Sequence, residues 1–296
     1  MSDAFSRRHP LINFIYFTLI IGFSMFLMHP LCLAISLLGA VSYALCLKGR
    51  KALRFLVCAM LPLLLVTAWL NPLFNHAGVT LLFYLPGGNP VTLESMVYGL
   101  AAATMFVTVV VWFSCFNAVM TSDKFVYLFG EIIPALSLIF SMVLRLVPRL
   151  KAQSRVIANA RKGVGRDPGS GPLLQRARSV VQIISMMITW ALESAIDTAD
   201  SMKSRGYGLA GRTSFSLYRF ELYDKWLLAA MLLLAGFILA GAGSGLIRAD
   251  YFPALQIEMP TLLSSMVYMA YAGLGLLPVL VDGGEDMRWK RIKSTA

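Results

Sequence analysis

The fold class this sequence predicts is an all-α polytopic membrane protein, with about six transmembrane helices and a cytoplasmic domain of long helices. Three observations carry that prediction. The 296 residues are 58% hydrophobic and 14% charged, where soluble domains run near about 45–50% and about 25%. The apolar residues fall into runs of bilayer length, about 20 residues in helix or slightly fewer with snorkelling flanks. The Lys and Arg behind the net charge of +11 lie between those runs, as cytoplasmic loops require. In a soluble chain such a charge points to nucleic acid. Here it marks the cytoplasmic side, so the expected surroundings are a lipid bilayer and not nucleic acid.

The elements follow in order. Arg7 and Arg8 precede an apolar run over Leu11 to Met28. This is similar to a signal sequence, but no small-residue cleavage site follows, so it reads as a retained first helix. Pro30 makes a tight connection to a second span, about Leu31 to Leu47. The stretch from Lys48 to Arg54 reads as a short basic loop before a third span, about Phe55 to Leu70. Residues 71–92 hold no Lys or Arg and are punctuated by Asn71-Pro72, Pro86-Gly87-Gly88 and Asn89-Pro90. They read as turns in an external loop. A fourth span, about Leu93 to Val119, is rich in small residues that let helices approach closely.

The next hundred residues differ. Phe125 to Val147 is apolar but interrupted by Glu131, Pro134 and Arg145. From Ser179 to Met202, apolar residues such as Ile184, Ile188, Ala191 and Ala195 recur at helical spacing. Glu193, Asp197 and Asp200 occupy the other side. That is an amphipathic helix, not a lipid-facing span. If both segments crossed the membrane, residues 149–178 would lie outside. They carry Arg149, Lys151, Arg155, Arg161, Lys162, Arg166, Arg176 and Arg178 against Asp167 alone. The positive-inside rule therefore places 121–225 in the cytoplasm, between N-terminal spans in 1–120 and a C-terminal part, 226–296. A fifth span, about Trp226 to Ile247, has a thin face of Gly236, Gly241, Gly243 and Gly245. A sixth is expected at about Thr261 to Val281, before a basic tail. Both termini are then cytoplasmic, and Arg248 is the one basic residue outside.

The chemistry-bearing residues are few. Cys32, Cys46, Cys58 and Cys115 lie in apolar runs without paired spacing, which argues against disulfides and zinc. His9, His29 and His76 are isolated and read as packing or loop residues. No cofactor or metal site is expected. The glycine-rich loop from Gly163 to Pro172 lacks the Lys that a phosphate-binding loop needs, so it reads as a linker.

The two helices flanking that loop end alike. The first reaches Ala160-Arg161-Lys162-Gly163, the second Ser204-Arg205-Gly206-Tyr207-Gly208. Each has a small residue, an arginine and then glycine, directly or one residue later. Glycine stops a helix and a cation suits its negative end, so each reads as a helix C-terminus offering an arginine to a soluble partner.

These motifs resemble the Ala-Arg-Gly pair of the T component of energy-coupling factor (ECF) transporters, a group that includes the cobalt-transport Q component. Supporting matches are Asn71-Pro72-Leu73-Phe74, the Leu144-Arg145-Leu146-Val147-Pro148 element and Gly211-Arg212-Thr213. The resemblance covers roughly residues 28 to 281. Lys162 stands where the family commonly has glycine, so Gly163 would act as the stop one residue later. Ser204 stands for alanine.

The resemblance implies a non-catalytic subunit in the cell's inner (cytoplasmic) membrane. In such a subunit the arginine-bearing ends each dock in one of two ABC-type ATPases. The motions of the ATPases then pass to a membrane S component that binds a vitamin or a metal ion. Two alternatives compete with that reading. A membrane prenyltransferase would use Asp197 and Asp200 for magnesium and pyrophosphate, but it needs several converging carboxylates. A self-sufficient secondary transporter would show internal repeats and charges within its spans.

Overall fold

The computed structural model describes residues 4–84, 90–130, 134–165, 169, 172–207, 209, 218–257 and 261–295. The protein is an all-α polytopic membrane protein whose strands are confined to two short hairpins. It forms two compact units, one of Met1–Thr121 with Tyr218–Ala296 and one of Ser122–Leu217.

The first unit holds α1 (Pro10–Phe26), α2 (Pro30–Lys48), α3 (Arg50–Phe55), α4 (Leu61–Phe74), α5 (Leu93–Val119), α9 (Leu222–Gly243) and α10 (Leu262–Thr295). A single π-helical turn, Leu56–Met60, joins α3 to α4, and Arg50–Phe74 runs as one helix. α5 packs on α1, α2 and α4, while α10 packs on α2 and α9. The centre is aromatic, with Tyr16, Tyr43 and Trp112 fully buried. The rings of Tyr16 and Trp112 lie 6.0 Å apart, edge to face. Polar groups here satisfy one another, as an apolar surrounding requires. Trp112 Nε1 donates to Ser36 Oγ at 3.1 Å, and Ser36 Oγ lies 2.6 Å from Ser24 Oγ, tying α5, α2 and α1 together. Small residues set the closest approaches. A Cβ on Gly99 would stand 2.8 Å from the carbonyl oxygen of Ala68 on α4.

Several boundaries move from expectation, each for a local reason. The expected basic loop at Lys48–Arg54 contracts to Gly49, whose φ of 52° makes the turn. Arg50, Lys51 and Arg54, good helix formers, open the next helix instead. Asn71-Pro72, expected as a turn, lies in the last turn of α4, where Asn75 N donates to the Asn71 carbonyl at 2.8 Å. Of the expected glycine face on α9, Gly241 meets Val267 while Gly236 and Gly243 have open space beside them. Gly245, at φ 81°, follows the helix end. The expected tail continues α10 as helix to Thr295.

His9 and His29, read as isolated, each cap a helix. Their Nδ1 atoms accept from Leu11 N and Leu31 N at 3.3 Å, with proline at the first helical position of α1 and α2. The signal was a repeated His-Pro-Leu at 9–11 and 29–31. The loop expected to be external also holds more regular structure than its turn residues implied. β1 (Leu81–Tyr84) pairs antiparallel with β2 (Pro90–Thr92), and Glu94 accepts from Thr80 N and Oγ1. The turns expected at Pro86–Asn89 fall outside the described residues.

Among the described residues, six helices are long and apolar enough to cross a membrane: α2, Arg50–Phe74, α5, α8 (Leu173–Ser204), α9 and α10 as far as Glu285. Five are expected spans. The expected first span, α1, has 17 residues. α8 qualifies because hydropathy averages over its two unlike faces.

Candidate functional site

The second unit is built from α6 (Ser122–Gly130), α7 (Pro134–Gly163) and α8. α7 continues through Pro148, and α8 begins six residues before the expected Ser179. α7 and α8 pair antiparallel. The Arg149 guanidinium lies over the Trp190 ring at 5.1 Å, and Arg161 Nη2 donates to Gln182 Oε1 at 2.7 Å. The order of these two contacts fixes the direction of the hairpin.

Its seam is narrow. On α7 the half-buried positions are Leu150, Gln153, Ser154, Ile157, Ala158 and Arg161. On α8 they include Ile183, Met187, Trp190, Ala191 and Ser194. Both sets step by three or four, the helical stripe expected. The stripe of α8 is nevertheless wider than the seam. Ile184, Ile188, Leu192 and Ile196 are 49% to 64% exposed, so part of the face expected to be buried stands open. Glu193, Asp197 and Asp200 are exposed as expected. Among the described residues no three His, Cys, Asp or Glu side chains gather as a metal site would require.

The two motifs terminate their helices differently. At the end of α8, Arg205 is the C-cap and Gly206 takes the left-handed conformation, φ 75°. Tyr207 N donates to the Met202 carbonyl and Gly206 N to that of Lys203, both at 3.0 Å. This is a Schellman closure. At the end of α7, Gly163 is still helical. The left-handed residue is Gly165, φ 76°, whose N–H donates to the Lys162 carbonyl at 3.0 Å. The expectation that Gly163 is the stop is therefore corrected by two residues. Arg205 directly precedes its left-handed glycine, whereas Arg161 sits a full turn earlier.

Their surroundings differ too. Arg205 is exposed and makes no side-chain bond among the described residues. Arg161 is half-buried against Gln182, with Ala160, Lys162 and Gly163 exposed around it. Ser204 is exposed and Gly206 half-buried. Arg161 lies level with Gln182, and α8 from Gln182 to Arg205 spans roughly 35 Å at 1.5 Å per residue. The motif arginines are thus held far apart on one hairpin. Gly208 and Gly211-Arg212-Thr213 lie outside the described residues.

A family model described as cobalt transport protein, CbiQ, matches residues 4–215. The chain belongs to the CbiQ family. Within it, similar proteins carry the name energy-coupling factor transporter transmembrane protein EcfT. The one from Lactobacillus helveticus is 38% identical over 105 residues, 35% of this chain and 38% of the relative. Those from Lactococcus lactis subsp. cremoris and Listeria innocua are 34% and 33% identical over 100 and 104 residues. These cover 33% and 35% of this chain, and 38% and 39% of the relatives. The chain spans under half the length of these relatives. A CbiQ-family chain with such relatives is a transporter component of the membrane.

The two motif glycines should respond oppositely to alanine. Gly206→Ala strains a left-handed residue and brings a Cβ to 3.0 Å from Leu209 Cδ1, so it should cost about 1 kcal/mol. Gly163→Ala is helical with open space beside it and should be neutral or stabilising by about 0.5 kcal/mol. Amide exchange at the two helix ends measures both. A destabilising Gly163→Ala with a silent Gly206→Ala would contradict the cap assignments.

Proposed function

We propose that this chain is the transmembrane coupling subunit of an ECF-type importer. It passes ATP-driven motion of two ABC-type ATPase subunits to a substrate-binding S component for uptake of a vitamin or a metal ion. The observation that carries the reading is the pair of arginine-bearing helix ends, roughly 35 Å apart on one antiparallel hairpin. That separation suits two partners side by side. The family match and the EcfT relatives support the class of transporter. A guanidinium stays charged at working pH and offers a rigid fork to carboxylates or helix-end carbonyls. In this reading the chain carries out no chemistry of its own, and Ala160 to Gly163 and Ser204 to Gly206 are the docking residues.

The hairpin, residues 122–217, is then cytoplasmic, as are both termini, in the cell's inner membrane. Hydropathy alone would let α8 cross, but its acidic edge and the basic stretch 149–178 favour the cytoplasm. The transferase alternative finds no support in Asp197 and Asp200, which sit with Glu193 on an exposed helix edge and form no metal-holding cluster among the described residues.

Cysteine labelling tests the side of the membrane. Val164 is 79% exposed beside the hairpin loop. In a chain freed of its native cysteines, Val164→Cys should resist an impermeant thiol reagent in intact cells and react in inverted vesicles. Labelling from outside would refute the cytoplasmic placement.

Arginine substitution tests the docking. Loss of one partner of a desolvated, hydrogen-bonded charge pair costs about 2–5 kcal/mol. Arg161→Ala or Arg205→Ala should each weaken uptake sharply. The double Arg→Glu variant should release the ATPases or uncouple hydrolysis from uptake, while the chain still inserts. Arg155→Ala and Arg176→Ala remove the same charge elsewhere and should be mild. Normal uptake by the double variant at normal expression sinks the reading.

A further inference from the structure

The two motifs differ in one respect that has a bearing on what each can bind. Arg161 Nη2 is held by Gln182 Oε1, a neutral amide. Its Nε is shut off from solvent and has no acceptor. Beside it opens a recess of about 560 Å³ between α7 and α8, with Ile157, Ala160, Val164 and Met186 in its wall. Among the described residues no acidic side chain lines it, whereas Arg8 and Arg248 pair with Glu285 and Asp250. A buried donor without an acceptor is unfavourable. A cation facing only an amide also remains unneutralised. The unneutralised charge would be met by a carboxylate, and the apolar wall by an apolar side chain next to it.

We propose that this recess is a socket for an ATPase segment carrying an acidic side chain beside an apolar one, and that Gln182 is the residue that positions Arg161 for it. Gln182 holds the guanidinium at the mouth of the recess through a bond weak enough for a partner carboxylate to replace. The end at Arg205 has no such residue among the described ones, so the two docking ends are unequal and the first is conditional. This rests on the coupling reading above.

The test titrates the ATPase subunits onto the full chain in nanodiscs. Gln182→Glu supplies Arg161 with an internal carboxylate and should lower affinity about thirtyfold or more, matching Arg161→Ala, because a charge-assisted hydrogen bond to the partner is lost. Gln182→Glu should add nothing once Arg161→Ala is present, since its effect runs through that arginine. Met186→Trp, which fills the recess, should lower affinity by a similar factor, and melting temperatures confirm that each variant is folded. Wild-type affinity in Gln182→Glu, with a weakened Arg161→Ala, overturns the positioning role. A Gln182→Glu loss that adds to that of Arg161→Ala also overturns it, since it indicates simple repulsion. A silent Met186→Trp overturns the socket. If the wild-type chain captures no ATPase, it is the coupling reading that fails.

Discussion

Charged side chains are expensive in hydrocarbon, and a lone guanidinium is among the most expensive. This chain keeps every Lys and Arg out of its six longest apolar runs outside the hairpin. The rest of the architecture depends on that exclusion. At the centre of the membrane unit Trp112, Ser36 and Ser24 are uncharged and bond one another. Half of the cationic residues, 13 of 26, lie in Ser122–Leu217, the compact unit that holds the hairpin. The separation keeps the apolar spans of one unit free of cations while the other carries arginines near its helix ends.

The hairpin is held by little. Its seam is one or two residues wide on each helix and fastened by Arg149 over Trp190 and Arg161 on Gln182. A narrow seam leaves Ile184, Ile188, Leu192 and Ile196 uncovered. It also leaves the helix ends far apart and differently capped. A rigid spacer between two unlike ends suits a part that transmits displacement more than one that binds a small ligand.

Much of the fold was legible because apolar runs of bilayer length have few interpretations. α5 was expected at Leu93 to Val119 and lies there, and the other spans begin within about five residues of expectation, though α10 runs on to Thr295. The errors came where one residue decides. Gly49 alone makes the turn that Lys48 to Arg54 was expected to make, and Pro72 is tolerated inside a helix end. His9 and His29 reveal themselves as caps only when the repeated His-Pro-Leu is noticed. At the candidate site both arginines were legible as helix-end residues. The difference between them was not. It depends on Gly165 rather than Gly163 turning the chain, and on a contact between Arg161 and Gln182 across two helices. No local pattern encodes that pairing.

The most direct measurement is site-specific photo-crosslinking in the assembled transporter, with the reactive group at position 161, at 205, or at both. Two-sided docking predicts that each position captures one ATPase subunit and that the doubly substituted chain captures two. Crosslinks from both positions to a single ATPase copy would contradict the central claim. So would a complex in which neither position reaches an ATPase at all.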